Sequence, residues 1–165
     1  VLPHRNKKVV LVDLPDTNVV DTEDALLVYK TGSSEKVKNA VDELTKRKAP
    51  EATAHPFEYR PWGNFEILRD TDAFKSKVIQ VLPGQRLSYQ SHTKRAEHWI
   101  IIKGSPEVTL NDEVLEPKAG EHIYIPMGAK HRISNPGSSL VEFVEVQVGT
   151  YFGEDDIVRY QDDYK

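Results

Sequence analysis

The chain has 165 residues, 38% of them hydrophobic and 29% charged, which suits one soluble domain or one domain plus an appendage. A net charge of −4 argues against nucleic acid as a partner, because such binding needs a basic patch, and no apolar run approaches the roughly 18 residues of a membrane-spanning helix. The absence of cysteine excludes thiolate metal sites and disulfides and fits a cytoplasmic protein.

The start, Val1-Leu2-Pro3-His4-Arg5, lacks the apolar core of a signal peptide and lacks an initiator Met, so the chain is expected to be a fragment of a longer one. Residues 8–30 hold three short β-like runs, over 8–12, 18–20 and 25–29, separated by Pro15-Asp16 and Asp21-Thr22. Ser33 or Ser34 then reads as a helix N-cap with Glu35 in the first turn. Val37, Ala40, Val41 and Leu44 fall on one face of a helix ending near Lys48. This β-β-α appendage over 1–48 is too small to bury much core by itself. Residues 49–59, with two prolines and three alanines, read as an extended linker in which His55 is a surface residue.

From Arg60 the pattern is all-β. Eight strands are expected, over 62–69, 74–82, 87–90, 98–103, 107–110, 122–125, 131–134 and 140–148. Short strands with regular turns imply a sandwich or barrel over 60–152. The tail, 153–165, reads as a short helix or turn covering one end. Trp62 and Trp99 are expected in the core.

Four side chains in this region have the chemistry of a metal site. Gln90 and His92 are two apart, so on a strand they project from one face. Glu97 follows a short polar connection and opens the apolar run toward Ile102, which can fold back beside His92. His131 begins a later strand after the Ile125-Pro126-Met127-Gly128 turn. Two imidazoles, a carboxylate and an amide oxygen suit Zn, Fe, Mn, Co or Ni, with Zn first, and leave positions open for water or substrate. His98 and His122 alternate away from these positions and read as structural.

The spacing of these residues resembles the cupin double motif. The first half runs Gly84, Gln90, His92, Glu97, Gly104; the second runs Gly120, Pro126, Gly128, His131, Asn135. Gln90, where many cupins have a first His, makes the stretch similar to metal-dependent isomerases of the phosphomannose isomerase type. The type II phosphomannose isomerase/guanylyltransferase resemblance extends over the whole region. It is carried by Arg60-Pro61-Trp62-Gly63, Leu87-Ser88-Tyr89-Gln90, Arg95-Ala96-Glu97-His98-Trp99, Glu145-Val146-Gln147 and Glu154-Asp155-Asp156-Ile157-Val158-Arg159. Thr93 and Lys94 depart from a family that is richer in His at those positions. Val19-Val20-Asp21-Thr22-Glu23-Asp24-Ala25-Leu26 resembles the closing segment of mannose-1-phosphate guanylyltransferases, whose catalytic domain would then lie upstream.

The resemblance implies a cupin jelly roll, a divalent metal on Gln90, His92, Glu97 and His131, and interconversion of mannose-6-phosphate and fructose-6-phosphate in GDP-mannose supply. Such an isomerisation moves a proton between two carbons and another between the two oxygens they carry, so it needs a polarised carbonyl, a base near neutral pH and a grip on phosphate. Glu145, alone among apolar neighbours on its strand and two residues from Gln147, is the first candidate base; metal-bound hydroxide is the alternative. Arg95, Lys77, Arg86 and Arg132 are the candidates for phosphate, Arg95 also being a catalytic candidate beside Glu145, with alternation turning Arg132 away from the face of His131. The partner is a small sugar phosphate, with no nucleic acid and no membrane, and a homodimer is expected. Rival readings are a non-catalytic module of a guanylyltransferase, a cupin oxygenase and a metal-free sugar-binding module.

Overall fold

In the computed structural model, residues 10, 12–22, 25–49 and 56–164 are described. The chain divides into two compact units, 1–56 and 57–165.

In the first unit, β1 (Thr17–Asp21) and β2 (Leu26–Lys30) form an antiparallel hairpin with Val19 opposite Val28. A single 3-10 turn, Ser34–Lys36, leads into α1 (Val37–Lys46). Ser33 occupies the cap position, but its side chain makes no capping hydrogen bond. Val37 is half-buried on the helix, whereas Ala40, Val41 and Leu44 are exposed. The strand expected over 8–12 lies mostly outside the described residues, and Val10 and Val12 are in irregular backbone. His55 also lies outside them.

The second unit is two antiparallel sheets packed face to face. Eleven strands build it: β3 (Phe57–Arg60), β4 (Gly63–Asp70), β5 (Phe74–Val81), β6 (Tyr89–His92), β7 (Arg95–Lys103), β8 (Glu107–Leu110), β9 (Glu113–Leu115), β10 (His122–Ile125), β11 (His131–Ser134), β12 (Val141–Gly149) and β13 (Ile157–Gln161). One sheet runs β10-β7-β12-β5-β4-β3 and the other β13-β6-β11-β8-β9. All eight strands expected in this region are present: those over 107–110, 122–125 and 131–134 have the expected bounds, and the other five have ends shifted by one to three residues. Three were not expected: β3, β9 and β13. The sheet therefore begins at Phe57, inside the expected linker, because Phe57–Arg60 pairs residue by residue with β4. The tail is a 3-10 turn, Glu154–Asp156, followed by a strand that pairs with β6.

Alternation along the strands builds the core. On β12, Val141 and Phe143 point inward, as Trp99 and Ile101 do on β7. They meet Val108, Ile125 and Ile133 between the sheets, all at most 1% exposed. Each such side chain contributes about 1.5–3 kcal/mol by leaving water. Gly63, at φ 152°, has no room for a side chain, since a Cβ there would overlap the Gln80 carbonyl oxygen.

Asn135 joins the two layers. It follows β11, yet its amide donates to the Val81 carbonyl of β5 and to the Ser139 carbonyl, each at 2.8 Å, while its own oxygen accepts from Gly137 N at 3.1 Å. It is 2% exposed. Replacing it with alanine leaves the buried Val81 carbonyl unmatched and removes the bonds to Ser139 and Gly137, so Asn135→Ala should lower unfolding free energy by about 1–3 kcal/mol in chemical denaturation.

Candidate active site

A cavity of about 330 Å³ opens between the two sheets. Gln90 contributes from β6, Lys77 from β5, Arg95 and Glu97 from β7, and Glu145 and Gln147 from β12. Register explains why they meet. Gln147 lies opposite Glu97 and Glu145 lies opposite Trp99, so four inward residues form a cross-strand quartet. In the other sheet Gln90 lies opposite His131, and His92 follows two residues later on the same face.

His92, Glu97 and His131 form a cluster whose potential ligand atoms lie within 4.8 Å of one another. His92 Nε2 is 3.1 Å from one Glu97 oxygen and His131 Nε2 is 3.5 Å from the other. All three residues are at most 2% exposed. Neither Nε2 has a hydrogen-bond partner, and His92 Nδ1 has none. His131 Nδ1 lies 3.0 Å from the Ala129 carbonyl oxygen. A carbonyl only accepts, so Nδ1 carries the proton and the neutral ring turns the lone pair of Nε2 toward Glu97. Burial pushes the His131 pKa down, which favours that neutral ring. An imidazole lone pair facing a carboxylate in a dry interior calls for a cation between them, so the residues present fit a divalent metal. Gln90, whose oxygen accepts from Ser88 Oγ at 2.8 Å, shares the face and the cavity.

Two donors tie Glu97 to Glu145. The Trp99 indole N–H donates to Glu97 at 3.1 Å and to Glu145 at 3.2 Å. The Gln147 amide donates to the same pair at 3.1 and 2.8 Å. Burial pushes the Glu145 carboxyl up to about 7, reinforced by the Glu97 charge and opposed by the Lys77 ammonium 3.4 Å away. Burial also acts to raise Glu97, but contact with His92 and the charges of His131 and Arg95 outweigh it and hold Glu97 below the ordinary carboxylate range.

Two of the four expected phosphate ligands are placed elsewhere. Arg86 is exposed and donates to Asp163 at 2.6 Å, outside the cavity lining. Arg132 points to the outer face, because His131 and Ile133 take the inner one; it lies over the Tyr89 ring and donates to Gln161 at 3.1 Å. Lys77 and Arg95 do line the cavity. Arg95, 2% exposed, donates to the Gly153 carbonyl at 3.1 Å and points its Nε at Glu97 at 3.5 Å. Trp99 is core, whereas Trp62 is half-buried and also borders the cavity. His98 and His122 stack on the outer face with ring nitrogens 3.0 Å apart.

The tail supplies residues that sequence reading missed. Glu154, Arg159, Asp162 and Tyr164 all border the cavity. The β-branched pair Ile157-Val158 was the available strand signal. Asp156 fastens this segment to the β6–β7 turn, accepting from the Thr93 hydroxyl at 2.7 Å, Thr93 N at 3.3 Å and Lys94 N at 3.1 Å.

Residues 47–162 match the protein family described as mannose-6-phosphate isomerase C-terminal. The chain belongs to this family. It is 43% identical over 159 residues to the xanthan biosynthesis protein XanB of Xanthomonas campestris pv. campestris. It is 41% identical over 156 residues to a mannose-1-phosphate guanylyltransferase of Salmonella montevideo and 40% identical over 164 residues to the alginate biosynthesis protein AlgA of Pseudomonas aeruginosa. These alignments take in 96%, 94% and 99% of this chain but 34%, 33% and 34% of the relatives, so the chain spans about a third of their length. Among solved structures, an oxalate decarboxylase of Lactobacillus farciminis superposes with a TM-score of 0.56 at 18% identity over 63% of this chain and 33% of that one. A cupin-superfamily sugar phosphate isomerase of Silicibacter pomeroyi superposes with a TM-score of 0.50 at 15% identity, over 61% and 76%. At such identities the likeness shows the fold, and the fold is the cupin double-stranded β-helix.

Burial alone would raise the Asp156 carboxyl, but its hydrogen bonds from Thr93 and Lys94 and the charge of Arg95 bring it below its ordinary value. A carboxylate depressed in the folded state stabilises it above the unfolded pKa of about 4 and loses that contribution as pH falls through the folded value. Asp156→Asn should therefore be less stable than wild type at neutral pH, with the gap closing below about pH 4, as read from thermal melts across pH.

Proposed function

We propose that this barrel is a metal-dependent aldose–ketose isomerase interconverting mannose-6-phosphate and fructose-6-phosphate, in a chain whose larger parent also carries mannose-1-phosphate guanylyltransferase activity and supplies GDP-mannose. The observation that carries the reading is the cross-strand quartet: a carboxylate of a metal-capable cluster and a second buried carboxylate, bridged by the same two donors, in one cavity with Lys77. A metal-binding module alone has no use for the second carboxylate. Family membership and the guanylyltransferase name of the Salmonella montevideo relative support the same substrate class.

His92, Glu97 and His131, with Gln90 beside them, would hold the ion, Zn first and Co, Mn, Fe or Ni as alternatives. When bound there it would polarise the carbonyl and neighbouring hydroxyl oxygens of the sugar. The chain's own groups do the remainder. Glu145 is the base that takes a proton from one carbon and returns it to the neighbouring one, while the hydroxyl proton passes in the same direction between the two oxygens those carbons carry. Trp99 and Gln147 fix the orientation of that carboxyl by donating to both of its oxygens, and Lys77 holds the oxygen shared with Gln147. The Gln147 oxygen is buried without a partner and lines the cavity, so it is available to accept from a sugar hydroxyl. The apolar walls, Trp62, Phe65, Ile79 and Leu87, limit water at the reacting carbons.

A coupled assay for fructose-6-phosphate formation tests the reading. Chelation should abolish turnover and added Zn²⁺, Co²⁺ or Mn²⁺ should restore it; His131→Ala should lose restored activity by at least about a hundredfold. No turnover from the folded chain under any of these metals would overturn the proposal. Separately, Glu145→Gln should lower kcat by about 10²- to 10⁴-fold while metal content by elemental analysis stays at the wild-type level. Equal loss of metal and activity would assign Glu145 to holding the metal site, not to proton transfer.

A further inference from the structure

A sugar phosphate has its reacting carbons at one end and its phosphate at the other. The metal-capable cluster and Glu145 account for the first end. The second end needs a cation that borders the same cavity and is not already committed.

The cavity holds four cations: Arg60, Lys77, Arg95 and Arg159. Arg95 is buried against Glu97 and the Gly153 carbonyl. Lys77 is held 3.4 Å from Glu145, and its side chain is 12% exposed. Arg60 pairs at 2.9 Å with Glu58 on β3, a pair that is itself exposed, but its guanidinium also lies over the Phe65 ring, 5.8 Å from the centroid. Arg159 differs. Its guanidinium touches Glu154 at 3.2 Å and Asp162 at 3.9 Å, and its side chain is 34% exposed. The Glu154 side chain is 61% exposed, so water screens that pair, and the Asp162 oxygen, at 3.9 Å, stands at the outer limit of an ion pair. A phosphate dianion can displace it, since the guanidinium fork matches two phosphate oxygens at once.

Strand register fixes where Arg159 points. On β13, Ile157 lies opposite His92 and Arg159 lies opposite Gln90. Residues directly opposite in an antiparallel pair share a face. Arg159 therefore projects on the same face as the candidate ligands of the five-stranded sheet, while Glu145 and Lys77 reach the cavity from the other sheet. Asp156 holds the start of this strand to Thr93 and Lys94, so the position of Arg159 is built into the fold.

We propose that Arg159 is the phosphate-binding residue of this cavity, leaving Glu154 to grip the phosphoryl group of the sugar phosphate. The inference rests on the isomerase reading and adds the residue that selects phosphorylated over plain sugars.

The test uses Arg159→Gln and Arg159→Lys in the 165-residue chain loaded with metal, both first matched to wild type in thermal midpoint and metal content. With mannose-6-phosphate as substrate, Arg159→Gln should raise KM about 10- to 100-fold, more than it lowers kcat, and weaken competitive inhibition by inorganic phosphate to a similar degree. Arg159→Lys, which keeps the charge but loses the fork, should fall between. Unchanged KM and unchanged phosphate inhibition in Arg159→Gln, with wild type active, overturn this inference and leave the isomerase reading standing. A fall in kcat alone overturns it too, because Arg159 then only holds β13 in place. If wild type shows no turnover, the isomerase reading falls, and calorimetry with inorganic phosphate decides the rest. Phosphate binding that is lost in Arg159→Gln upholds the anion site; binding that is equal in the two, or absent in both, overturns it.

Discussion

Two carboxylates buried side by side are the constraint around which this barrel is arranged. Glu97 and Glu145 sit on neighbouring strands, each under 5% exposed, in a place where like charges repel strongly. The chain answers with donors and cations of defined position. Trp99 and Gln147 each donate to both carboxyls. Arg95 approaches Glu97, and Lys77 approaches Glu145. The result drives the two groups apart in acidity: Glu97 stays ionised and Glu145 is raised to about 7. Two carboxylates in one site thus acquire different roles from their surroundings.

This arrangement depends on register. The quartet exists because Glu97 faces Gln147 and Trp99 faces Glu145 across the β7–β12 pair. Slipping either strand by one residue would put both of its inward polar groups on the outer face. The apolar residues further along the same strands, Ile101, Val141 and Phe143, prevent that slip, because they would leave the core together with it. Core packing at one end of β7 and β12 therefore sets the chemistry at the other. The metal-capable cluster is fixed in the same way from the opposite sheet, where Ile133 anchors β11 and so aims His131 inward.

Much of this is legible from residue order. The inward face of β6 follows from the two-residue spacing of Gln90 and His92, and the isolation of Glu145 and Gln147 among valines marks them as inward polar groups in an apolar strand. The same alternation correctly turns Arg132 outward, yet Arg132 remained a phosphate candidate because proximity to His131 in sequence looked like proximity to the site. Trp62 shows another limit: composition says that it is buried, but only tertiary packing shows that one side of it borders a cavity. In sequence, the turn after β6 is marked only by its missing histidines. Thr93 instead proves to be an anchor, and its partner, Asp156, is 63 residues away.

The tail departs furthest from its sequence pattern, and the cause is physical. Glu154-Asp155-Asp156 begins as a 3-10 turn rich in acidic residues, which has the local pattern of a helix start. The next residues form a strand because β6 would otherwise present an open edge, and pairing with Ile157–Gln161 satisfies it. Tertiary demand overrode local preference. The consequence reaches function, because the strand that closes this edge lies directly beside Gln90 and His92. Whatever occupies β13 forms a wall of the cavity, so the final residues of the barrel belong to its site. Asp156 makes that connection firm by holding the turn between the strands that carry His92 and Glu97. A chain ending before this segment would expose β6 and remove Arg159 from the cavity together with that anchor. The closing strand thus joins fold completion to site completion in one element.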